Sequence, residues 1–490
     1  MIKSLRISLA LGAALLALAG CAVGPQYQRP PVDTPAAFKE ASLSPEEARH
    51  WKDAQPSDSM ERGRWWAVFD DAPLNALEEQ AMAANQDLKA AAARVGQARA
   101  LQQGARSDLY PKIDAGFGPT RQRASNASLG LPDDAANAPS TLWRAQAGAS
   151  YEADLFGRVA ADVDAATADT QQSEALFRSV QLALQADVAQ AYFLIRRLDA
   201  EQELYRGTVS LRSQTLGLVE RRYAEGDISE LDVARAKSEL ASAQSESLGV
   251  ERQRAIAEHA LAILLGKAPA DFSVAQRPLQ GIAIGIPAGL PSSLLERRPD
   301  IAAAERAMAA ANARIGAAQA AFFPRLTITG ALGYESSQLG DLFQWSSRSF
   351  LLGPLVGTML SLPIFDGGQR QAGLDRARAK YEEDVAIYRQ TVLSAFREVE
   401  DNLSSLRILG TQTDVQDSAV QSAARAAELS HTQYREGSVS YLDVIDADRA
   451  VLQQKRAAVQ LNGDRAQAAV NLIRAIGGGW DRAGAATASL

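Results

Sequence analysis

A chain of 490 residues that is 47% apolar has room for two or three domains and ample core. Aromatics make up only 6% while alanine recurs throughout, which favours closely packed helices over a large globular core. The net charge of −7 supplies no basic face for nucleic acid, and a single cysteine excludes a disulfide within one copy and any two-thiolate metal site.

The chain opens with "MIKSLRISLALGAALLALAGC": Lys3 and Arg6, then an apolar run to Ala19, the layout of a bacterial export signal over residues 1–20. It ends in "LAGC", which resembles the lipobox of bacterial lipoproteins and makes Cys21 the expected lipidation site. Ala22 rather than Asp follows, which favours sorting to the outer membrane. No other run of 18 or more apolar residues occurs, so no second helix is expected to cross a bilayer. Residues 21–74 read as a lipidated, irregular periplasmic segment.

Residues 75–110 form the first alanine-rich helical stretch, closed by Pro111, and residues 300–323 repeat its texture and are closed by Pro324. After each proline the period changes to two. In 111–156 the set Trp143, Ala145, Ala147, Ala149, Tyr151 and Ala153 alternates with Arg144, Gln146, Ser150, Glu152 and Asp154. In 324–366, Leu326, Ile328, Leu332 and Tyr334 alternate with Arg325, Thr327, Thr329 and Glu335. Strands with one oily and one wet face, as in a membrane barrel, alternate in this way, and each segment reads as a β-hairpin. Four strands cannot close a barrel, and an open edge in lipid leaves backbone groups unsatisfied, so copies of the chain must pool their strands.

Each hairpin leads into a long helical one, 157–266 and 367–477. Between Gly368 and Tyr434 there is no proline, and Val385, Tyr388, Val392, Ala395, Val399, Asn402, Leu406 and Leu409 follow steps of three and four, a coiled-coil seam. Some 65 residues of helix reach about 100 Å. A Pro- and Gly-rich linker, 267–299, joins the halves as extended chain, and residues 478–490 form a tail.

The two long hairpins turn in nearly the same words. "RYAEGDISELDVARA" from Arg222 returns as "QYREGSVSYLDVIDA" from Gln433 at a constant offset of 211 residues, the mark of a duplication. A glycine (Gly226, Gly437) stops one helix; Ser229 or Ser440, with Asp232 or Asp443 three residues on, starts the next. Capping accounts for both acids, at under about 1 kcal/mol each. It does not account for Asp446, whose counterpart in the first copy is Arg235. Asp443 and Asp446 share a helix face, and in an oligomer they would stack as carboxylate rings at a narrow mouth. His50, His259 and His431 are scattered, no hydrolase or metalloprotease motif is present, and no enzyme is expected.

The stretches "WWAVFDDAPLNALEEQAMAANQDLKAAAARV", "DLFGR", "LLERRPDIAAAE", "FFPRLTITG" and "PIFDGGQR", with the two turns, span nearly the whole mature chain and resemble the TolC-like outer-membrane factors, in their efflux lipoprotein branch. The resemblance implies a mainly α protein with membrane β: a homotrimer with a twelve-stranded barrel in the outer membrane, four strands from each protomer. A coiled-coil helical tunnel would project into the periplasm, with a mixed equatorial belt around it. It implies a periplasmic adaptor and a proton-driven inner-membrane pump as partners, and no cofactor. By motif, Asp443, Asp446, Tyr434 and Asp232 match the periplasmic gate, and Gly226, Asp227, Ile228, Gly437, Ser438 and Val439 the tips that meet the adaptor. Some family members carry arginine where this chain has Val439, so one gate link is expected to be missing here. The expected cargo is drugs or other small toxic solutes; a protein-secretion channel is the alternative, and a non-conducting coiled-coil scaffold a more remote one.

Overall fold

The computed structural model describes residues 23–35, 37–40, 64–279, 297–352 and 360–478. Cys21, the signal segment, part of the linker and most of the tail lie outside the described residues. After a short 3-10 turn (Trp65–Phe69) come α1 (Ala72–Ala84), α2 (Gln86–Ser107), β1 (Lys112–Gln122), β2 (Ser140–Ala153), α3 (Arg158–Ala224) and α4 (Glu230–Leu264). The second half brings α5 (Pro299–Ala320), β3 (Arg325–Ser336), β4 (Arg348–Leu352), β5 (Leu360–Ser361), α6 (Gln369–Arg435) and α7 (Tyr441–Ala475). Corresponding helices match in length: α2 and α5 have 22 residues each, α3 and α6 have 67, and α4 and α7 have 35.

The chain forms two compact units, one of residues 1–31, 95–173 and 304–388, the other of 32–94, 174–303 and 389–490. The first holds an antiparallel sheet in the order β1-β2-β3-β4, with β5 also paired to β3. Its register sorts the side chains by face. Phe117 lies opposite Ala145, which lies opposite Tyr334; Ala147 lies opposite Leu332, which lies opposite Phe350; Leu326 lies opposite Leu360. One face is thus apolar on every strand except at its loop end, where Arg121 and Arg348 lie. On the other, Arg144 pairs with Glu335 at 2.9 Å and Gln146 donates to the Ser349 hydroxyl at 3.0 Å, so the charged groups satisfy one another across strands. All strand ends next to helices lie at one end of the sheet, and the loops at the other. In the first loop the Asn126 side-chain amide donates to the carbonyls of Pro132, Asp133 and Ala135, closing the turn on itself.

The second unit is helical. Its core gathers Trp65, Trp66, Leu74, Leu77, Tyr192, Phe193, Leu198, Leu261, Leu265, Val470 and Ile473. The seam read along α6 is buried at Val392, Ala395 and Val399 and half-buried at Asn402, Leu406 and Leu409.

The alanine-rich stretch read as one helix from residue 75 is two helices. Asp71 caps the first, accepting from the Leu74 N–H at 3.2 Å. Asn85 then leaves helical geometry (φ −57°, ψ 132°). Its side-chain oxygen accepts from Leu88 N–H at 2.9 Å, starting α2, while its amide donates to the Leu264 carbonyl at 2.9 Å. A side chain that satisfies two helix termini at once outweighs the continuous helix that alanine would otherwise favour.

The linker keeps its extended character over residues 272–279 but is fastened rather than loose. The buried Asp199 carboxylate accepts from Arg254 at 2.6 Å, Arg196 at 3.2 Å and the Arg277 backbone N–H at 2.9 Å. Arg254 and Arg196 in turn donate to the carbonyls of Val274 and Ala275, each at 2.7 Å. At the far end of the linker the buried Arg298 guanidinium bonds Asp300, Glu398 at 2.7 Å and the Ala475 carbonyl at 3.0 Å. The N-terminal segment is likewise irregular yet tied: Phe38 is buried, and the backbone N–H groups of Lys39 and Glu40 both donate to the Glu400 carboxylate.

Candidate functional site

Both hairpin turns fall in the second unit. At each the chain stops its helix with a Schellman pair. Gly226 N–H donates to the Tyr223 carbonyl at 3.0 Å and Asp227 N–H to that of Arg222 at 2.9 Å; Gly437 and Ser438 repeat this on Tyr434 and Gln433 at 3.1 and 2.9 Å. Gly226 and Gly437 hold φ of 84° and 74°, a conformation a side chain would strain, so glycine is required at both.

The restart differs between copies. In the second, Asp443 accepts from the Ser440 N–H at 2.9 Å and from its hydroxyl at 2.6 Å, a capping box in which those two donors, the hydroxyl first, hold the Asp443 carboxyl below its usual range. In the first, Asp232 accepts from the Ser229 hydroxyl at 3.1 Å and leans toward Arg235 at 3.5 Å. Arg235 occupies the place of Asp446 and pairs with the Asp232 oxygen that the Ser229 hydroxyl leaves free.

A small apolar cluster joins the two turns: Val219, Val233, Ala236, Tyr441, Val444 and Ile445 are buried, with Leu216, Ile228 and Tyr434 packed on them. Tyr434 and Tyr441 stand 5.6 Å apart, and the Arg222 guanidinium sits 5.2 Å from the Tyr434 ring centre. The Tyr434 hydroxyl is buried without a hydrogen-bond partner among the described residues. Burial, with Tyr434, Asp448 and Glu239 adding to it, pushes the Tyr441 hydroxyl up to about 12. The structure therefore brings Tyr434 and Ile228 into one cluster. Asp232 and Asp443 sit in their own caps; Gly226, Asp227, Gly437 and Ser438 are exposed, and Val439 is half-buried.

Asp446 is 62% exposed, and Arg449 lies 3.5 Å from it. Arg449 is more closely held by Glu239 of the first hairpin, at 2.5 and 3.0 Å. Glu239 is itself held by Arg212, which pairs with its carboxylate at 2.9 Å and donates to its carbonyl at 2.6 Å. A chain of opposite charges, Arg212, Glu239, Arg449, Asp446, thus crosses from first hairpin to second. His431 meets Asp448 at 2.8 Å and staples α6 to α7 within the second hairpin.

The sequence reading missed Glu239. The signal was there: Val233, Ala236, Glu239, Ala243, Val250, Arg254, Ala257 and Leu261 form the buried stripe of α4, and its two charged members, Glu239 and Arg254, are the centres of the two ion networks. A charge on a buried stripe announces a partner.

Apolar strands with a wet reverse face, paired with helices of coiled-coil length, define an outer-membrane channel subunit. A family model described as outer membrane efflux protein matches residues 77–267 and 290–478. The chain is 36% identical to the solvent efflux pump outer membrane protein SrpC of Pseudomonas putida over 95% of its own length and 97% of that protein. It is 33% identical to the cation efflux system protein CusC of Escherichia coli, over 95% and 97%. The solved open state of the MtrE outer membrane channel of Neisseria gonorrhoeae aligns over 94% of this chain and 99% of that one, with a TM-score of 0.79 and 30% identity. The chain belongs to the outer membrane efflux protein family. Its place is the outer membrane of a Gram-negative cell, and its family is one of efflux channels, not of enzymes.

Proposed function

We propose that three copies pool their four-stranded sheets into one closed barrel and form a passive exit duct, anchored by lipid at Cys21. A periplasmic adaptor and an inner-membrane pump, driven by protons, would deliver the solute; the duct itself carries out no chemistry and needs no cofactor. The observation that carries this is the sheet: one face apolar between its ends on every strand, the other wet, and neither outer edge paired among the described residues. Three copies edge to edge satisfy those edges and turn the polar face, with Arg144, Gln146 and Glu335, toward a water-filled bore.

The turns are read as the periplasmic mouth. Asp443 and Asp446 present carboxylates there, Tyr434 and Asp232 brace the turn, and the exposed Gly226, Asp227, Gly437 and Ser438, with Ile228 and Val439, offer themselves to the adaptor. The Arg449–Glu239 pair is the latch: it binds the second hairpin to the first, in a chain with Val439 where the family resemblance implies that some members carry an arginine. A mouth that widens by swinging the second hairpin outward must break it. The cargo is read as small toxic solute, since relatives are named for solvent and cation efflux. The test is accumulation of a fluorescent efflux substrate in the native host. Deleting the gene should raise accumulation and plasmid-borne wild type should restore it. Unchanged accumulation of dyes and solvents, with loss of a secreted polypeptide, would support the secretion channel instead.

A further inference from the structure

The chain just beyond the lipobox is moored on α5 and on the residues that follow β2. Gly24 lies on Gly316 of α5 so closely that a Cβ on Gly24 would stand 2.8 Å from the Gly316 Cα, and one on Gly316 3.2 Å from the Gly24 Cα. A side chain at Gly24 would force the crossing apart, and one at Gly316 would crowd it. On either side of it the backbone is held: Val23 N–H donates to the Phe156 carbonyl at 3.5 Å, and Asn312 donates to the Pro25 carbonyl at 2.9 Å. Phe156 follows β2 and stacks at 4.8 Å on Phe323, which precedes β3, so the mooring sits at the helix end of the sheet.

That end carries apolar side chains that the described residues of one copy leave exposed. Phe322 is 38% exposed, Ile364 89% and Phe365 90%. Arg325 pairs with Ser361 and Leu326 with Leu360, so the segment that carries Ile364 and Phe365 begins beside the start of β3, just after Phe322 and Phe323. Arg370, at the start of α6, stands 5.7 Å from the Phe322 ring. Cys21 is three residues from Gly24, a reach of about 11 Å at full extension.

We propose that the acyl chains carried by Cys21 lie on the Phe322–Ile364–Phe365 patch, so that the lipid anchor is a fixed part of the base of the barrel and not a loose tether. The proposal rests on the reading that Cys21 is lipidated. The short path from Gly24 delivers this occupant, in every copy of the chain, to side chains that the described residues leave exposed.

The test uses the full-length lipoprotein made in Gram-negative cells fed a diazirine fatty acid, illuminated, then digested for mass spectrometry. Linkage through the Cys21 acyl group joins the N-terminal peptide to the peptide bearing Phe322 or Phe365; linkage to free phospholipid leaves those peptides carrying lipid alone. The N-terminal linkage should dominate. A Gly-Ser insertion of about six residues between Ala22 and Val23, which leaves the fold untouched, should cut it about fivefold as the tethered concentration falls with length. Gly316→Val, which displaces the crossing, should cut it as well. N-terminal linkages spread over the surface, indifferent to the insertion, or a patch labelled by phospholipid alone, would overturn the proposal while leaving lipidation intact. An N-terminal peptide with no acyl group would overturn both.

Discussion

Neither carboxylate oxygen of Glu78 has a hydrogen-bond partner among the described residues, and its side chain is fully buried on α1. Burial pushes its carboxyl up from 4.5 to about 9, so at neutral pH the fold holds it protonated. Because the folded value lies above the unfolded one, its contribution to stability is full below about 4.5. It is lost as pH rises toward about 9, at up to about 1.4 kcal/mol per pH unit. Glu78→Gln, which is neutral throughout, should flatten the decline of melting temperature between about pH 5 and pH 8 and leave the variant the more stable at the upper end; an unchanged slope would place the cost elsewhere. Asp443 has the opposite sign. Its folded value is lowered, so its capping contribution is present above the ordinary carboxylate range and lost as pH falls through the lowered value. Glycine and capping residues at the turns were legible in the sequence because their chemistry is local. Glu239 was not, since its meaning depends on Arg449, 210 residues away.

Among the elements, periodicity revealed the sheet faces and the α6 seam, because alternation and three-four spacing follow directly from strand and helix geometry. It did not reveal the break at Asn85, where one side chain serves both the start of α2 and the last carbonyl of α4. Nor did it reveal what fastens the linker, which rests on Asp199 gathering two arginines and a backbone N–H from three parts of the chain. Asp199→Ala leaves Arg254 and Arg196 buried without their carboxylate and should cost about 3–5 kcal/mol. The expected readouts are a lower melting temperature and faster proteolysis near residues 272–279, with Asp199→Asn intermediate. Equal protease resistance in all three proteins would mean that the apolar packing of α3 and α4 holds the linker unaided.

At the scale of the whole molecule, the duplication was visible as a constant offset in sequence and returns as helices of 22, 67 and 35 residues in each half. The halves diverge where a gate would need them to: Arg235 stands in one copy and Asp446 in the other, and only the second turn completes a capping box. A ring of exposed Asp446 carboxylates should favour cations at the mouth, so Asp446→Asn should reduce the preference for potassium over chloride in reversal-potential measurements. If a latch between its two hairpins holds the duct shut, single-channel conductance in planar bilayers reads it most directly. Wild type should conduct weakly. Glu239→Ala and Arg449→Ala should each conduct severalfold more, and the double variant no more than either alone, because the two side chains form one interaction. Folded, inserted wild type and variants that all conduct equally would contradict the latch, and silence from all of them would contradict the duct.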